Sequence, residues 1–132
     1  MTVASRVCCC ESGKPYAPCC GRFIEKGEHA PTAEDLMRSR YSAYVLQREH
    51  YLLSTWHSST RPPTLQLDHE AAMQWLGLHV KRHVVDAEDS DKAMVEFVAR
   101  FKTGGGRAER LHEISHFIRE QGRWFYVDGE HP

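Results

Sequence analysis

All five cysteines of this chain lie in its first twenty residues, as Cys8-Cys9-Cys10 and Cys19-Cys20. Such crowding makes a poor disulfide framework, because adjacent cysteines bridge badly and an odd count leaves one thiol over. It suits a soft tetrahedral ion, which needs donors brought together by a short turn. Eight residues separate Cys10 from Cys19, enough for the chain to fold back and present Cys8, Cys10, Cys19 and Cys20 to one zinc ion. Ser12-Gly13 supplies the turn, whose N–H groups can soften the thiolate charge, and Lys14 offsets part of it. Redox-active thiols or a disulfide pair are the alternatives. Four protein ligands leave no open position for water, so a catalytic ion is not expected. Cys9 either replaces a neighbouring ligand or is a spare thiol.

Charge is balanced, with 17 basic and 18 acidic residues and a net charge of −1, which argues against a general nucleic-acid binder. No apolar run approaches the ~20 residues that cross a bilayer. Met1 to Val7 lacks the charged start and apolar stretch of an export signal, so the expected compartment is the reducing cytoplasm, where clustered cysteines read as metal ligands.

Composition divides the chain into a cysteine knuckle (1–22), a polar linker (23–31) and a packed body (32–132). Thr32 stands as an N-cap before Glu34 and Asp35, and Met37, Tyr41, Tyr44, Val45 and Arg48 share a stripe, predicting a helix over 33–47. A short helix carrying Tyr51, Leu52, Thr55 and Trp56 follows, stopped by Arg61-Pro62-Pro63. Asp68 is read as the cap of a third, running through Trp75. Alternation then sets in. Leu76, Leu78, Val80 and Val84 are read on one strand face, with His79, Lys81 and His83 on the solvent face. Ala93 to Phe101, Leu111 to Phe117 and Arg123 to Val127 supply further strands joined by short turns. Helices first and strands afterwards predict an α+β fold with an antiparallel meander.

The stretch Cys8-x-Cys10-x-Ser12-Gly13-Lys14-x-Tyr16-x-x-Cys19-Cys20 resembles the SEC-C motif, the zinc-binding segment at the tail of the SecA translocation ATPase. It departs by placing Cys9 where proline is usual and Glu11 where glycine is usual. Leu36 to Val45, Tyr51-Leu52, Thr55-Trp56-His57, Trp75 to Leu78, Val98 to Phe101 and Gly122 to Gly129 resemble the bacterial YchJ family. That resemblance implies a nuclear-transport-factor-2-like body, a cone of helices packed into a curved antiparallel sheet.

The first functional expectation is a non-enzymatic adaptor. Its knuckle docks a protein partner through Lys14, Tyr16 and Arg22, with Arg6 nearby. The SecA-tail resemblance implies a SecB-type chaperone or the ribosome as that partner. The alternative is a small-molecule binder, or an isomerase- or dehydratase-like enzyme, using the cone. There Glu113 shares a strand face with Leu111 and Phe117 and needs a partner if buried, for which Arg38, Arg40 or Arg100 would serve. His57 beside Trp56 is the candidate acid or base. A plain internal ion pair is the competing account of Glu113. No catalytic constellation is assigned. His112 and His116 lie roughly 13 Å apart on a strand, too far to chelate. Thr103 to Arg107 lacks the Lys-Ser/Thr pair and following helix of a phosphate loop.

Overall fold

The computed structural model describes residues 7–65, 67 and 73–132. Among these residues three helices, α1 (Gly21–Ile24), α2 (Ala33–Val45) and α3 (Glu49–Ser54), precede four strands: β1 (Met73–Val85), β2 (Lys92–Thr103), β3 (Glu109–Glu120) and β4 (Arg123–Glu130). The strands form one antiparallel sheet in the order β1-β2-β3-β4, a meander as expected. The fold is α+β, with α2 laid across the inner face of the sheet.

Thr32 caps α2 as predicted, its hydroxyl accepting the Asp35 N–H at 3.1 Å, and Glu34 and Asp35 sit where the helix dipole favours acid. Leu36, Met37 and Tyr41 face down onto Ala93, Val95, Phe97 and Ala99 of β2, and these belong to one apolar cluster. Cys8, Cys10, Tyr16, Cys19, Cys20 and Phe23 belong to the same cluster, so the knuckle packs on the body rather than trailing from it. Phe23 and Ala30, in the segment between knuckle and α2, are also buried.

Two β-bulges reshape β1, between Trp75 and Gly77 and between Val80 and Arg82. Each adds a residue, so the alternation slips and the strand bends. Trp75 pairs with Phe101, Val80 with Phe97, and His83 with Val95. The sequence expectation therefore fails here: Val84 lies opposite Met94, on the outer face and exposed, while His83 turns inward. His83 Nδ1 sits 3.8 Å from Glu34 Oε1, and its buried Nε2 has no hydrogen-bond partner among the described residues. The third helix is also corrected at its end, because Met73 to Trp75 already belong to β1. Its proposed cap Asp68, like Arg6, lies outside the described residues. Among the described residues no helix is long and apolar enough to cross a membrane.

Candidate metal centre and adjoining cavity

The knuckle is built by backbone hydrogen bonds that turn four sulfurs onto one point. The Cys8 N–H donates to Lys14 O at 2.8 Å, and Tyr16 O accepts from Cys19 N–H at 3.0 Å and Gly21 N–H at 2.8 Å. The turn between the cysteine pairs needs positive φ at Glu11 (62°) and Gly13 (83°). Glycine suits such a position and glutamate does not. The Glu11 carboxylate accepts from Leu78 N–H, next to the first bulge of β1. That contact needs Gly77, where a Cβ would stand 2.7 Å from Glu11 Oε2 and 3.0 Å from an Arg100 nitrogen.

Cys8, Cys10, Cys19 and Cys20 are all buried, and their sulfurs lie within 4.8 Å of one another. A Zn–S bond of about 2.3 Å gives a tetrahedron with edges of roughly 3.8 Å; Cys10 and Cys19 Sγ stand 3.6 Å apart. The donor set fits a tetrahedral thiolate-bound ion, with no carboxylate or open place among the four. Hydrogen bonds from Cys10, Cys20 and Cys9 hold Cys8 well below the usual thiol range. Cys20 is pushed up by Cys10, Cys8 and burial. At Cys10 a hydrogen bond to Cys20 pulls the thiol down, but Cys8 and burial outweigh it and leave it at about 11. Half-buried Cys9 lies outside the cluster, with its thiol directed to Ser42 Oγ at 3.2 Å. Ser12 Oγ touches Cys19 Sγ at 3.1 Å, and Arg38 donates to Cys10 O at 2.8 Å.

Beneath α2, on the inner face of the sheet, a cavity of about 360 Å³ remains open. Tyr41, Tyr44, Trp75, Phe97, Phe101 and Tyr126 supply its aromatic walls, and Arg40, Glu113 and Ser115 its polar groups. Arg40 is only 5 % exposed. Its Nη1 donates to Leu52 O at 2.8 Å and Thr55 Oγ1 at 2.6 Å, while its guanidinium lies 5.1 Å from the Trp56 ring and 4.6 Å from that of Tyr126. Burial lowers its pKa from the ordinary arginine value. Glu113 Oε2 accepts the Ser115 hydroxyl at 2.5 Å, and Oε1 lies 3.3 Å from His131 Nε2. A larger concavity of about 510 Å³ flanks α3, but charged side chains such as Glu25, Arg48, Glu49 and Arg123 line much of it.

A family model described as the middle, NTF2-like domain of YchJ matches residues 32–129. The chain belongs to the YchJ family. UPF0225 proteins of Chromobacterium violaceum and Methylibium petroleiphilum are 54 % identical to it over 127 and 122 residues. The matches cover 95 % and 92 % of this chain and 93 % and 87 % of those proteins. The solution structure of a SEC-C motif containing protein from Rhodopseudomonas palustris superposes with a TM-score of 0.83 at 35 % identity, covering 96 % of this chain and 99 % of that one. The crystal structure of a SEC-C motif containing protein from Psychrobacter arcticus gives 0.81 at 28 % identity, covering 97 % and 84 %.

In this YchJ-family chain the sequence candidates fall apart into three places. Lys14 is exposed on the knuckle. Tyr16, expected on the rim, is buried at 5 % exposure because its ring completes the apolar cluster, and its hydroxyl donates to Glu25 Oε2 at 2.9 Å. Arg22 is half-buried over the Phe23 ring at 4.5 Å. Glu113 and Arg40 line the cavity; His57 does not. Its N–H donates to Tyr126 O at 2.7 Å, and its Nε2 faces Glu120 Oε1 at 3.1 Å beyond the edge of β4. Trp56 stands behind Arg40 and bridges to Tyr126. The cationic partners expected for Glu113 are otherwise engaged, Arg38 with Glu34 and Arg100 on the outer face near Glu11. Sequence reasoning missed Ser115, although its position two residues beyond Glu113 on the same strand face was the available signal. It also missed Ser42 beside the sulfurs and His131.

Proposed function

We propose that the protein is a metal-stapled ligand-binding domain: the knuckle holds one structural zinc ion, and the cone takes a small, largely apolar ligand. The carrying observation is the cavity of about 360 Å³ left open between α2 and the sheet. Ligand sites typically measure roughly 300–1,000 Å³ and combine apolar walls with a few polar groups. Cys8, Cys10, Cys19 and Cys20 are the zinc ligands in this reading, supported by their burial and convergence. Turnover is not part of it, since His57 stands outside the cavity and the acid–base pairing with Glu113 is not made.

Two measurements test this. Native mass spectrometry of untagged, reduced protein should find one metal ion per chain, and elemental analysis should identify it as zinc. Titration of the metal-loaded protein with benzyl alcohol, followed by ¹⁵N–¹H NMR, should move the Trp75 indole and backbone signals of β2 and β3 saturably. Filling the cavity with Ala99→Phe should abolish those shifts. Shifts scattered over the surface, or undiminished in that variant, would reject the cone as the binding site.

A second reading makes the knuckle a dock for a protein partner, a SecB-type chaperone or the ribosome. Exposed Lys14, Pro15 and Pro18 favour it, although Tyr16 is withdrawn from that surface. Binding of purified chaperone or ribosomes by the full chain, lost in Lys14→Glu, would support this role. Binding that survives the substitution would remove it.

A further inference from the structure

Glu113 is the cavity group whose charge the chain compensates least. Its side chain is 14 % exposed, and among the described residues it meets the neutral Ser115 hydroxyl at 2.5 Å and the imidazole of His131 at 3.3 Å, itself 63 % exposed. The nearby guanidinium does not neutralise it directly. Arg40 feels the Glu113 charge, but its Nη1 is directed to Leu52 O and Thr55 Oγ1, and its faces to Trp56 and Tyr126. The carboxylate is also given room, since a Cβ at Gly129 across the β3–β4 pair would run into it. A carboxylate largely removed from water calls for a cation or several donors. Tyr44, Trp75, Phe97 and Tyr126 line the same cavity with rings, whose negative faces attract cations.

We infer that the cone selects a ligand carrying an ammonium group on a small apolar body, with Glu113 as its counter-ion and His131 displaced from the carboxylate. The inference rests on the cone reading above and adds the chemical class of its ligand. A carboxylate ligand would meet Glu113 as a like charge, and a neutral one would leave that charge where it is.

The test uses full-length, metal-loaded protein and three probes of similar size: benzyltrimethylammonium, benzyl alcohol and 3-phenylpropionate. Affinities come from ¹⁵N–¹H NMR titrations read at the Trp75 indole and at Ser115. The ammonium probe is expected to bind about tenfold more tightly than the alcohol, with the carboxylate weakest. Glu113→Gln should remove that advantage and leave the alcohol within about twofold, whereas Glu113→Asp, which keeps the charge, should retain the ranking. Equal affinity for ammonium and alcohol, or ammonium binding unchanged in Glu113→Gln, overturns the selectivity and leaves the cone as a general apolar site. Absence of cavity shifts with all three probes overturns both.

Discussion

Around the sulfurs of the knuckle, the nearby polar groups are turned onto the chain itself. Ser12 contacts Cys19, Arg38 holds the Cys10 carbonyl, and Tyr16 reaches Glu25. In the cone, Arg40 is similarly satisfied by Leu52 and Thr55, yet among the described residues Glu113 is met by the Ser115 hydroxyl and an exposed imidazole beside open space. The difference separates two uses of buried polarity. A closed set of mutually satisfied groups fixes the fold, and an incompletely satisfied group facing a cavity is free to meet a ligand.

The largest effect should come from removing the ion proposed for the knuckle. Cys20 and Phe23 pack in the cluster that contains Leu36 and Met37, so chelation or Cys19→Ser should destabilise the whole chain rather than the knuckle alone. The loss is expected to be several kcal/mol, on the order of 5 or more, read as a single unfolding transition moved to lower temperature. Two transitions, the later one unmoved, would show the knuckle to be an independent unit and break the comparison. Because bound thiols must lose their protons, metal affinity should also fall as pH is lowered.

Next comes Arg40→Leu. The variant removes Nη1 bonds to Leu52 O and Thr55 Oγ1 and two ring contacts, and should cost about 3 kcal/mol by denaturant titration. A near-neutral result would move Arg40 from the structural side of the comparison to the ligand side.

How far the sequence reveals these regions depends on the distance over which each is specified. The knuckle is local, its four cysteines set within one turn and return, so their convergence follows from spacing. The capped start of α2 and the inward face of β3 are likewise local patterns, which is why Thr32 and Glu113 are placed correctly. The bulges of β1 leave no mark in alternation, so the faces of His83 and Val84 come out exchanged. His57 is misplaced for another reason: Thr55 to His57 pair with Tyr126, a contact between distant segments that no periodicity encodes. Tyr16 carries both a ring and a hydroxyl, and its local sequence cannot say which one faces outward.

A smaller effect tests how the knuckle is tied to the sheet. Glu11 gains a charged hydrogen bond from Leu78 N–H while holding an unfavourable φ of 62°. Glu11→Ala loses the bond and keeps the strain, whereas Glu11→Gly loses the bond and relieves it. The glycine variant should therefore be the more stable of the two by about 1 kcal/mol, read from paired denaturation curves. Equal stabilities would mean that the turn relaxes and that the backbone at Glu11 stores no strain.

The smallest shift, and the only one of opposite sign, is expected from Glu113→Gln without ligand. An amide fits the same space, can still accept from Ser115, and removes the cost of keeping a carboxylate largely out of water. Stability should rise slightly, by up to about 1 kcal/mol, where substitutions in the knuckle only lower it. A gain in stability joined to a loss of ammonium binding is the pattern of a group kept for its ligand at the expense of the fold. A clear loss of stability would instead place Glu113 with Arg40 among the groups that hold the helices on the sheet, and the two regions would then use buried polarity in the same way.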